Sequence, residues 1–180
     1  VELMGGQITV NSELNKGSEF AFFVELEPYA GEAEETTQAY DAAANQRYDG
    51  IPLLVVEDNE INQEIAGFLL EEIGFLVDFA ENGVEGVNAF QKKTYALIFM
   101  DIRMPIMDGL DATREIRRIE KEMAASNADG APFKRIPIIA MTANAMREDQ
   151  EASQEAGMDG HISKPIDIDE LHTILYRFLI

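Results

Sequence analysis

Short apolar runs alternate with longer amphipathic stretches from Ile51 to the end of the chain. The runs are rich in strand-favouring residues and bounded by turn residues, which predicts strands. They are IPLLVVE (51–57), FLVDFA (75–80), YALIFMD (95–101), IPIIAMT (136–142) and GHISKP (160–165). The stretches between them repeat apolar residues every three or four positions, which predicts helices. The predicted helices are residues 59–74, 82–93, 108–123, 144–157 and 167–180.

Strict alternation of strand and helix indicates an α/β fold with a doubly wound parallel sheet, because right-handed crossovers place helices on both faces. Burial of the strands on both sides accounts for their continuous apolar runs. We expect a (βα)5 unit whose five parallel strands lie in the order 2-1-3-4-5, counted from Ile51. The polar segment 124–135 is predicted to be a loop that is longer than the usual connection.

The residues before Ile51 have a different pattern. Residues 1–28 are predicted to form a hairpin of two short strands, around Gln7 to Ser12 and Glu19 to Leu26, with a polar Asn-Lys-Gly turn at 15–17. A lone hairpin is marginally stable in water, so this piece must pack on something else. Residues 29–50 are rich in Ala, Glu, Thr and Gln, which is typical of a linker.

Composition and charge narrow the class of protein. The chain has 180 residues, of which 46% are hydrophobic, enough for one ordinary domain with appendages. The formal net charge of −20 argues against nucleic-acid binding, because a polyanion would be repelled. There is no cysteine, and no apolar run of about 18 residues. We expect a cytoplasmic segment without membrane contact, although a parent protein could carry an anchor elsewhere.

Chemically active side chains follow four of the five predicted strands. The first strand ends in Glu57 and Asp58, the third in Asp101, the fourth in Thr142 and the fifth in Lys164. In an open parallel sheet, functional sites lie beyond the carboxyl ends of the strands where the strand order reverses. The first and third strands are neighbours at that point, so the three acids are expected to converge.

Three converging carboxylates repel one another unless a cation neutralises them. Carboxylate oxygens suit Mg²⁺, and Mn²⁺ is an alternative ion with the same ligand preference. With the charge neutralised, one carboxylate could attack a phosphoryl group. Thr142 could donate its hydroxyl to a phosphoryl oxygen, and the Lys164 ammonium could pair with another as charge shifts.

Each of these residues also has a purely structural explanation. Asp58 could simply cap the helix that follows it, and Asp108 is better explained as a cap than as a ligand. Lys164 alone would be a solvated surface lysine, and Thr142 alone a β-branched strand residue. The convergence of all the strand-end groups at one edge of the sheet favours the chemical interpretation.

Residues 51–180 resemble a response-regulator receiver domain, which has a flavodoxin-like fold. The motifs that carry the resemblance are VVEDNEINQ (55–63), MDIRMPIMDG (100–109), PIIAMTANAM (137–146) and GMDGHISKPI (157–166). Any one of them would be a weak signal, whereas their order on alternating strands is highly specific.

The resemblance implies a role for each matching residue. Asp101 would be the phosphoacceptor, and Glu57 and Asp58 the acidic pair that organises Mg²⁺, with Asp58 as the direct ligand. The backbone carbonyl of Arg103 would complete the protein ligands. Thr142 and Lys164 would be the hydroxyl and lysine of the site, and the bond from Lys164 to the next proline is commonly cis in the family.

One position departs from the family pattern. The family has a tyrosine or phenylalanine switch residue three positions before the lysine, and this chain has His161. Thr142 and His161 would together couple phosphorylation to the face formed by the fourth and fifth helices. A smaller, titratable ring there would alter that coupling and leave phosphoacceptance unaffected.

The N-terminal piece VELMGGQITVNSELNKGSEFAF resembles the end of a histidine-kinase ATP-binding domain. The elements of that family that bind ATP and carry the phosphorylated histidine do not occur in these residues. The order of kinase remnant (1–28), linker (29–50) and receiver (51–180) implies a C-terminal fragment of a hybrid sensor histidine kinase. Such a fragment would catalyse only the phosphorylation and dephosphorylation of its own aspartate.

The resemblance implies a phosphorelay function. Asp101 would receive a phosphoryl group from phosphohistidine, on the kinase core of the same protein or on a histidine phosphotransfer protein, and would pass it on or regulate the kinase. The partner would dock on the first helix, where Ile61, Ile65 and Leu69 are candidate contacts. Burial against the sheet is an equally good explanation for each of them.

Three alternatives belong to other classes. A pseudo-receiver that only mediates interactions would be expected to lack the acids or the lysine. A haloacid-dehalogenase-type phosphatase would need a second acid at the position of Arg103. A flavodoxin-like flavin binder needs a phosphate-binding first loop, where Glu57 and Asp58 would repel the ligand.

Overall fold

The computed structural model describes residues 6–13, 17–23, 48–126, 135–143 and 147–180. The chain divides into two compact units, residues 1–35 and 36–180, and each is described by itself. The predicted linker lies outside the described residues except for 48–50, and so does the 144–146 part of the fourth predicted helix. The domain boundaries at 28 and 50 remain predictions.

The first unit contains an antiparallel hairpin of β1 (Gln7–Glu13) and β2 (Gly17–Phe23). Ile8 pairs with Phe22 and Val10 with Phe20, so four apolar side chains lie on one face of the ribbon. All four are more than half exposed. The second strand begins earlier than the predicted Glu19, and its predicted end, like turn residues 15 and 16, lies outside the described residues.

The second unit is the predicted doubly wound sheet. Its strands are β3 (Pro52–Val56), β4 (Leu76–Ala80), β5 (Leu97–Asp101), β6 (Ile138–Thr142) and β7 (Gly160–Ser163). All pairings are parallel, in the order β4-β3-β5-β6-β7. This is the predicted order 2-1-3-4-5, so the fold prediction is confirmed.

Five helices connect and follow these strands, as the periodicity predicts. They are α1 (Glu60–Ile73), α2 (Gly83–Lys92), α3 (Gly109–Ser126), α4 (Arg147–Ala156) and α5 (Ile168–Leu179). The loop predicted over 124–135 begins later than expected, because α3 continues to Ser126, whose hydroxyl donates to the Glu122 carbonyl oxygen at 2.8 Å. Residues 127–134 lie outside the described part.

The two faces of the sheet each build one apolar cluster. Alternate residues of a strand point to opposite faces, so Leu54 and Val56 pack with residues of α2 and α3, whereas Leu53 and Val55 pack with residues of α1 and α5. Every residue of β5 and of β6 is buried. Burial on both sides explains why these strands lack polar alternation and fixes the strand ends in place.

The helix caps show which of the two acids, Asp58 or Asp108, has a capping role. The Asn59 side chain caps α1 by accepting from the amides of Ile61 (3.0 Å) and Asn62 (3.2 Å), so Asp58 is not the cap. Asp108 accepts from the Asp111 amide at 2.8 Å and is the cap of α3, as predicted. Asp58 is thereby left exposed beside the sheet edge.

Core packing already begins before β3. Tyr48, which composition assigned to the linker, is 5% exposed and stacks on Phe75 with ring centroids 4.6 Å apart. Its amide donates to the Ile73 carbonyl at 3.2 Å, and the Gly50 amide donates to that of Gly74 at 3.0 Å. Residues 48–50 therefore clamp the end of α1 instead of acting as free linker.

A partly buried arginine links α3 to the amino end of the sheet. Arg117 donates to Glu120 Oε2 at 2.6 Å and to Asp159 Oδ2 at 2.7 Å. Its guanidinium also donates to the backbone carbonyls of Ile136 and Gly157, both at 2.9 Å. The side chains of Arg117 and Glu120 are only 11% and 5% exposed. One side chain thus joins α3, the start of β6 and the loop before β7.

Replacing Arg117 by methionine should destabilise the second unit strongly. The change removes the cation beside the buried Glu120 carboxylate, which keeps only the Ile136 amide as a donor, and it removes the guanidinium from the Ile136 carbonyl. The loss costs about 3 kcal/mol of unfolding free energy. Arg118→Met is the matched control, because Arg118 is 54% exposed and pairs only with exposed glutamates, so its loss should be below about 1 kcal/mol. Urea unfolding measures both, and equal losses would contradict the network's role.

Candidate functional site

Three acidic side chains meet at the carboxyl ends of β3 and β5. Val56 pairs with Met100, so Glu57, Asp58 and Asp101 emerge side by side at one edge of the sheet. One carboxylate oxygen of each lies within 4.8 Å of the others. Glu57 is 1% and Asp101 7% exposed, whereas Asp58 is exposed to solvent. The predicted convergence of the acids is therefore present in the structure.

Lys164 brings a positive charge into this cluster from the far side of the sheet. Its Nζ lies 2.5 Å from Glu57 Oε2 and 2.9 Å from Asp101 Oδ2. Its backbone amide donates to the Thr142 carbonyl at 2.8 Å, which holds the residue beside the end of β6. The Lys164–Pro165 peptide bond is cis, as the resemblance implied. Lys164 is thus a bridging cation and not a solvated surface lysine.

Thr142 and Arg103 complete the surroundings of Asp101. Together with Lys164 they line a cleft of ≈ 180 Å³ over the carboxylate. Thr142 is buried at the end of β6, and the Arg103 amide donates to Asp101 Oδ1 at 3.3 Å. The Arg103 side chain is exposed, and the metal-binding role of its carbonyl remains a prediction.

The backbone of Asp101 is packed directly against the start of α3. A Cβ on Gly109 would stand 2.0 Å from the Asp101 carbonyl oxygen, which is closer than atoms can approach. The Gly109 amide also donates to the Ile102 carbonyl at 3.0 Å. Glycine is therefore required at 109 for α3 to reach the strand, a reason that the sequence motif alone did not reveal.

Burial raises the pKa of the Asp101 carboxyl above its ordinary value. The Lys164 ammonium acts in the opposite direction by stabilising the carboxylate, and the Glu57 charge adds to the rise. The carboxylate is thus held in a site that penalises its charge and only partly compensates for it. A second cation beside Asp101 would relieve that penalty.

His161 lies apart from this group. It is an exposed residue of β7, and its Nε2 is 3.2 Å from Nε2 of Gln150 on α4. The structure therefore places the predicted switch position on the α4 side of the sheet, in contact with α4. Its role in coupling stays a prediction.

Two residues that bind Glu57 were missed by the sequence reasoning. Asn62 Nδ2 donates to Glu57 Oε1 at 2.8 Å, and Gln63 Nε2 donates to the Glu57 carbonyl oxygen at 2.6 Å. Both lie in the first turn of α1. The available signal was their position in the EDNEINQ motif, where two amides follow an acid by five and six residues.

The donor set fits a hard divalent cation. Three carboxylates offer only oxygen ligands, and the described residues at the cluster include no sulfur or imidazole group. Oxygen ligands from carboxylates, with room for water at an exposed residue such as Asp58, are what Mg²⁺ prefers.

Comparison with known proteins agrees with the motifs and the geometry. Residues 53–176 match the model of the response regulator receiver domain. The chain belongs to this family. As a receiver domain it is a component of two-component signalling, and its fold is the flavodoxin-like fold of the family.

Relatives extend the likeness beyond the receiver. The chain is 35% identical over 97% of its length to hybrid signal transduction histidine kinase K of Dictyostelium discoideum, of which it spans 14%. It spans less than a quarter of the other histidine kinases that it matches over 97% of its own length. Its homologues are thus hybrid histidine kinases that contain receiver domains.

Two solved receiver domains are informative neighbours. One is the receiver of sensor histidine kinase PA1611 from Pseudomonas aeruginosa, with a magnesium ion in its active-site cleft; it is 38% identical, with a TM-score of 0.61 over 72% of this chain and 98% of that one. The other is the receiver of Saccharomyces cerevisiae Ssk1 in complex with the histidine phosphotransfer protein Ypd1; it is 30% identical, with a TM-score of 0.65 over 74% and 91%.

Among the helices that the structure describes, none has the length and apolar character needed to cross a membrane.

The raised pKa of Asp101 predicts a pH-dependent gain in stability for Asp101→Asn without divalent cations. As the pH rises, the unfolded chain loses this proton first, near about pH 3.9, and the folded protein only later, so the wild type loses stability through that interval. The asparagine variant escapes this loss and should be the more stable protein at pH 7, with an advantage that shrinks toward pH 4.

Urea unfolding at a series of pH values measures the difference. Asp111→Asn is the control, because that carboxylate is 63% exposed and pairs with Arg114 at the surface. Its substitution should be neutral or slightly destabilising at every pH. An Asp101→Asn variant that is less stable than the wild type at pH 7 would contradict the inferred burial penalty.

Proposed function

We propose that this chain is the receiver segment of a hybrid sensor histidine kinase, and that Asp101 accepts a phosphoryl group from phosphohistidine in a Mg²⁺-dependent reaction. The group then passes to a histidine phosphotransfer partner or regulates the attached kinase. The observation that carries the proposal is the bridge of Lys164 between Asp101 and Glu57, inside a cluster of three carboxylates.

The transfer itself is a simple exchange of bonds. An oxygen of the Asp101 carboxylate forms a bond to phosphorus while the P–N bond to the donor imidazole breaks, and that electron pair returns to the ring nitrogen. The product is an acyl phosphate on Asp101 and a free histidine on the donor. The reverse exchange would load the histidine of a phosphotransfer partner.

The surrounding residues support this exchange in distinct ways. Lys164, now 2.9 Å from Asp101 Oδ2, is close enough to pair with a phosphoryl oxygen as negative charge moves onto the group. Thr142 lines the same cleft and offers its hydroxyl to a second oxygen. The Arg103 amide holds Oδ1 in place at 3.3 Å.

Asp58 and Asp101, supported by Glu57 and the Arg103 carbonyl, would hold the divalent cation. When bound, Mg²⁺ would neutralise the carboxylates and stabilise negative charge on the phosphoryl group. Mn²⁺ has the same preference for oxygen ligands and is expected to substitute. The magnesium ion in the PA1611 receiver, at 38% identity, supports this assignment.

The partner surface is the exposed side of α1. Ile61, Ile65 and Phe68 are 66%, 45% and 67% exposed, and their spacing of four and three residues forms one apolar stripe. Leu69 packs against the core, so Phe68 replaces it in the predicted docking set. The Ssk1 receiver, which forms a complex with Ypd1, supports a phosphotransfer protein as the occupant.

The three alternative functions fit the residues of this site less well. A pseudo-receiver would not need all of the charged and hydroxyl groups that converge here. This chain lacks the second acid that a haloacid-dehalogenase-type phosphatase needs, because position 103 is an exposed arginine. Glu57 and Asp58 at the first loop would repel a flavin phosphate.

Labelling with a small phosphodonor tests the phosphoacceptor assignment. Purified protein incubated with acetyl phosphate and Mg²⁺ should gain one base-labile phosphoryl group, and Asp101→Asn should gain none, because it lacks the nucleophile. Asp108→Asn is the matched control, since the same isosteric change is made at the α3 cap and asparagine also caps helices. Intact-protein mass spectrometry reads the result, and equal labelling of Asp101→Asn and wild type would refute the assignment.

Protein-mediated transfer tests the docking surface separately. With a phosphorylated histidine phosphotransfer protein of the source organism as donor, Ile61→Ala and Phe68→Ala should each slow transfer about tenfold, because each removes an exposed apolar contact. Labelling by acetyl phosphate should stay unchanged. Met123→Ala, a 47% exposed apolar residue of α3, is the control. Normal transfer rates in both α1 variants would exclude this stripe as the docking site.

A further inference from the structure

The first turn of α1 holds Glu57 from two directions. Asn62 Nδ2 donates to the carboxylate at Oε1 (2.8 Å), and Gln63 Nε2 donates to the backbone carbonyl of the same residue (2.6 Å). Lys164 occupies the other carboxylate oxygen, Oε2, at 2.5 Å. Glu57 is 1% exposed, so these protein groups replace the water that an exposed glutamate would have. Both ends of the residue are thereby fixed.

The backbone that carries these two side chains is held by its own hydrogen bonds. The Asn59 side chain accepts from the Ile61 and Asn62 backbone amides, and the Gln63 amide donates to the Asn59 carbonyl at 3.0 Å. The first helical turn is therefore ordered independently of Glu57. A buried carboxylate without such donors would be costly to keep ionised and free to rotate away from its partners.

The direction of Glu57 matters for the charges beside it. Lys164 lies between Glu57 and Asp101, so a shift of the Glu57 carboxylate moves the ammonium that also contacts the phosphoacceptor. Glu57 has a donor on each oxygen, whereas Asp58 is exposed. Asp58 and Asp101 would hold a bound cation directly, and Glu57 would set the position of Lys164 and add negative potential beside them.

We infer that Asn62 and Gln63 are positioning residues of the metal site, which act through Glu57. This inference rests on the proposed function, because it concerns the affinity of the same acidic cluster for Mg²⁺. Neither amide contacts Asp58 or Asp101 through the bonds described, so their effect on the cation is indirect. Partners of this kind change metal affinity by orienting the groups beside the ion.

Calorimetric titration with MgCl2 tests the inference directly on the folded protein. Asn62→Ala should weaken Mg²⁺ binding about tenfold, and Gln63→Ala about threefold, because the second amide holds only the backbone of Glu57. Asn82→Ala is the matched control. Asn82 is likewise an asparagine at the start of a helix, but it is only 6% exposed and bonds to Glu85 of α2. The Mg²⁺ affinity of Asn82→Ala should stay within about twofold of wild type.

The Mg²⁺ dependence of acetyl phosphate labelling separates positioning from simple stability. For Asn62→Ala, the half-saturating Mg²⁺ concentration should rise about tenfold, and the rate at saturating Mg²⁺ should fall by a smaller factor, because the displaced Glu57 also shifts Lys164. A purely structural asparagine would instead lower the melting temperature and the maximum extent of labelling, with Mg²⁺ affinity unchanged. That result would overturn the positioning role.

Failure of this inference and failure of the proposed function are distinguishable. A wild-type protein that binds no Mg²⁺ and is not labelled overturns both. A wild-type protein that binds Mg²⁺ and is labelled, with Asn62→Ala and Gln63→Ala equal to it in affinity, overturns the positioning role alone. Gln63→Ala provides an independent test if Asn62→Ala does not fold.

Discussion

The balance of charge around Asp101 constrains the rest of the second unit. Two carboxylates are almost completely buried at neighbouring strand ends, with a third beside them in solvent. Buried like charges at this separation are unfavourable, and the Lys164 ammonium compensates for only part of the repulsion. The remaining negative charge favours a divalent cation at this edge of the sheet.

The parallel sheet brings these charged groups together. Parallel register carries the ends of β3 and β5 to the same edge, and the bond between the Lys164 amide and the Thr142 carbonyl extends the pairing of β6 and β7 by one step. The groups of the site therefore come from four chain segments that are distant in sequence and held at the strand ends. Rigid placement of this kind would lower the reorganisation needed in the proposed transfer.

The fold could be predicted because a strand buried on both faces has a distinctive apolar run. The acidic cluster could be predicted because the order of the strands in the sheet decides which strand ends meet. Finer features could not. Asp58 and Asn59 are both good capping residues, and only the path of the chain decides that Asn59 caps α1. Phe68 and Leu69 are adjacent apolar residues, and a small rotation of α1 decides that Leu69 is the one packed on the core.

The roles of residues that depend on a contact made only in the folded chain could not be predicted either. Tyr48 lies in a stretch whose composition is that of a linker, but its stacking on Phe75 depends on the end of α1. Asn62 is five positions from Glu57, and nothing in the spacing says that its amide turns back to the strand end. His161 occupies a recognised motif position, whereas its surroundings on the α4 side depend on tertiary structure.

The close approach of Gly109 to Asp101 has a mechanical consequence. One end of α3 lies against the carbonyl oxygen of Asp101, and its middle is bound by Arg117 to the opposite end of the sheet. The position of α3 is therefore fixed at two points, by the contact of Gly109 with Asp101 and by the bonds of Arg117. If a change of charge at Asp101 leaves both attachments intact, the structure has to adjust elsewhere, in the side chains of the cleft and the segments beyond β6. α3 is then the fixed element relative to which any rearrangement is measured.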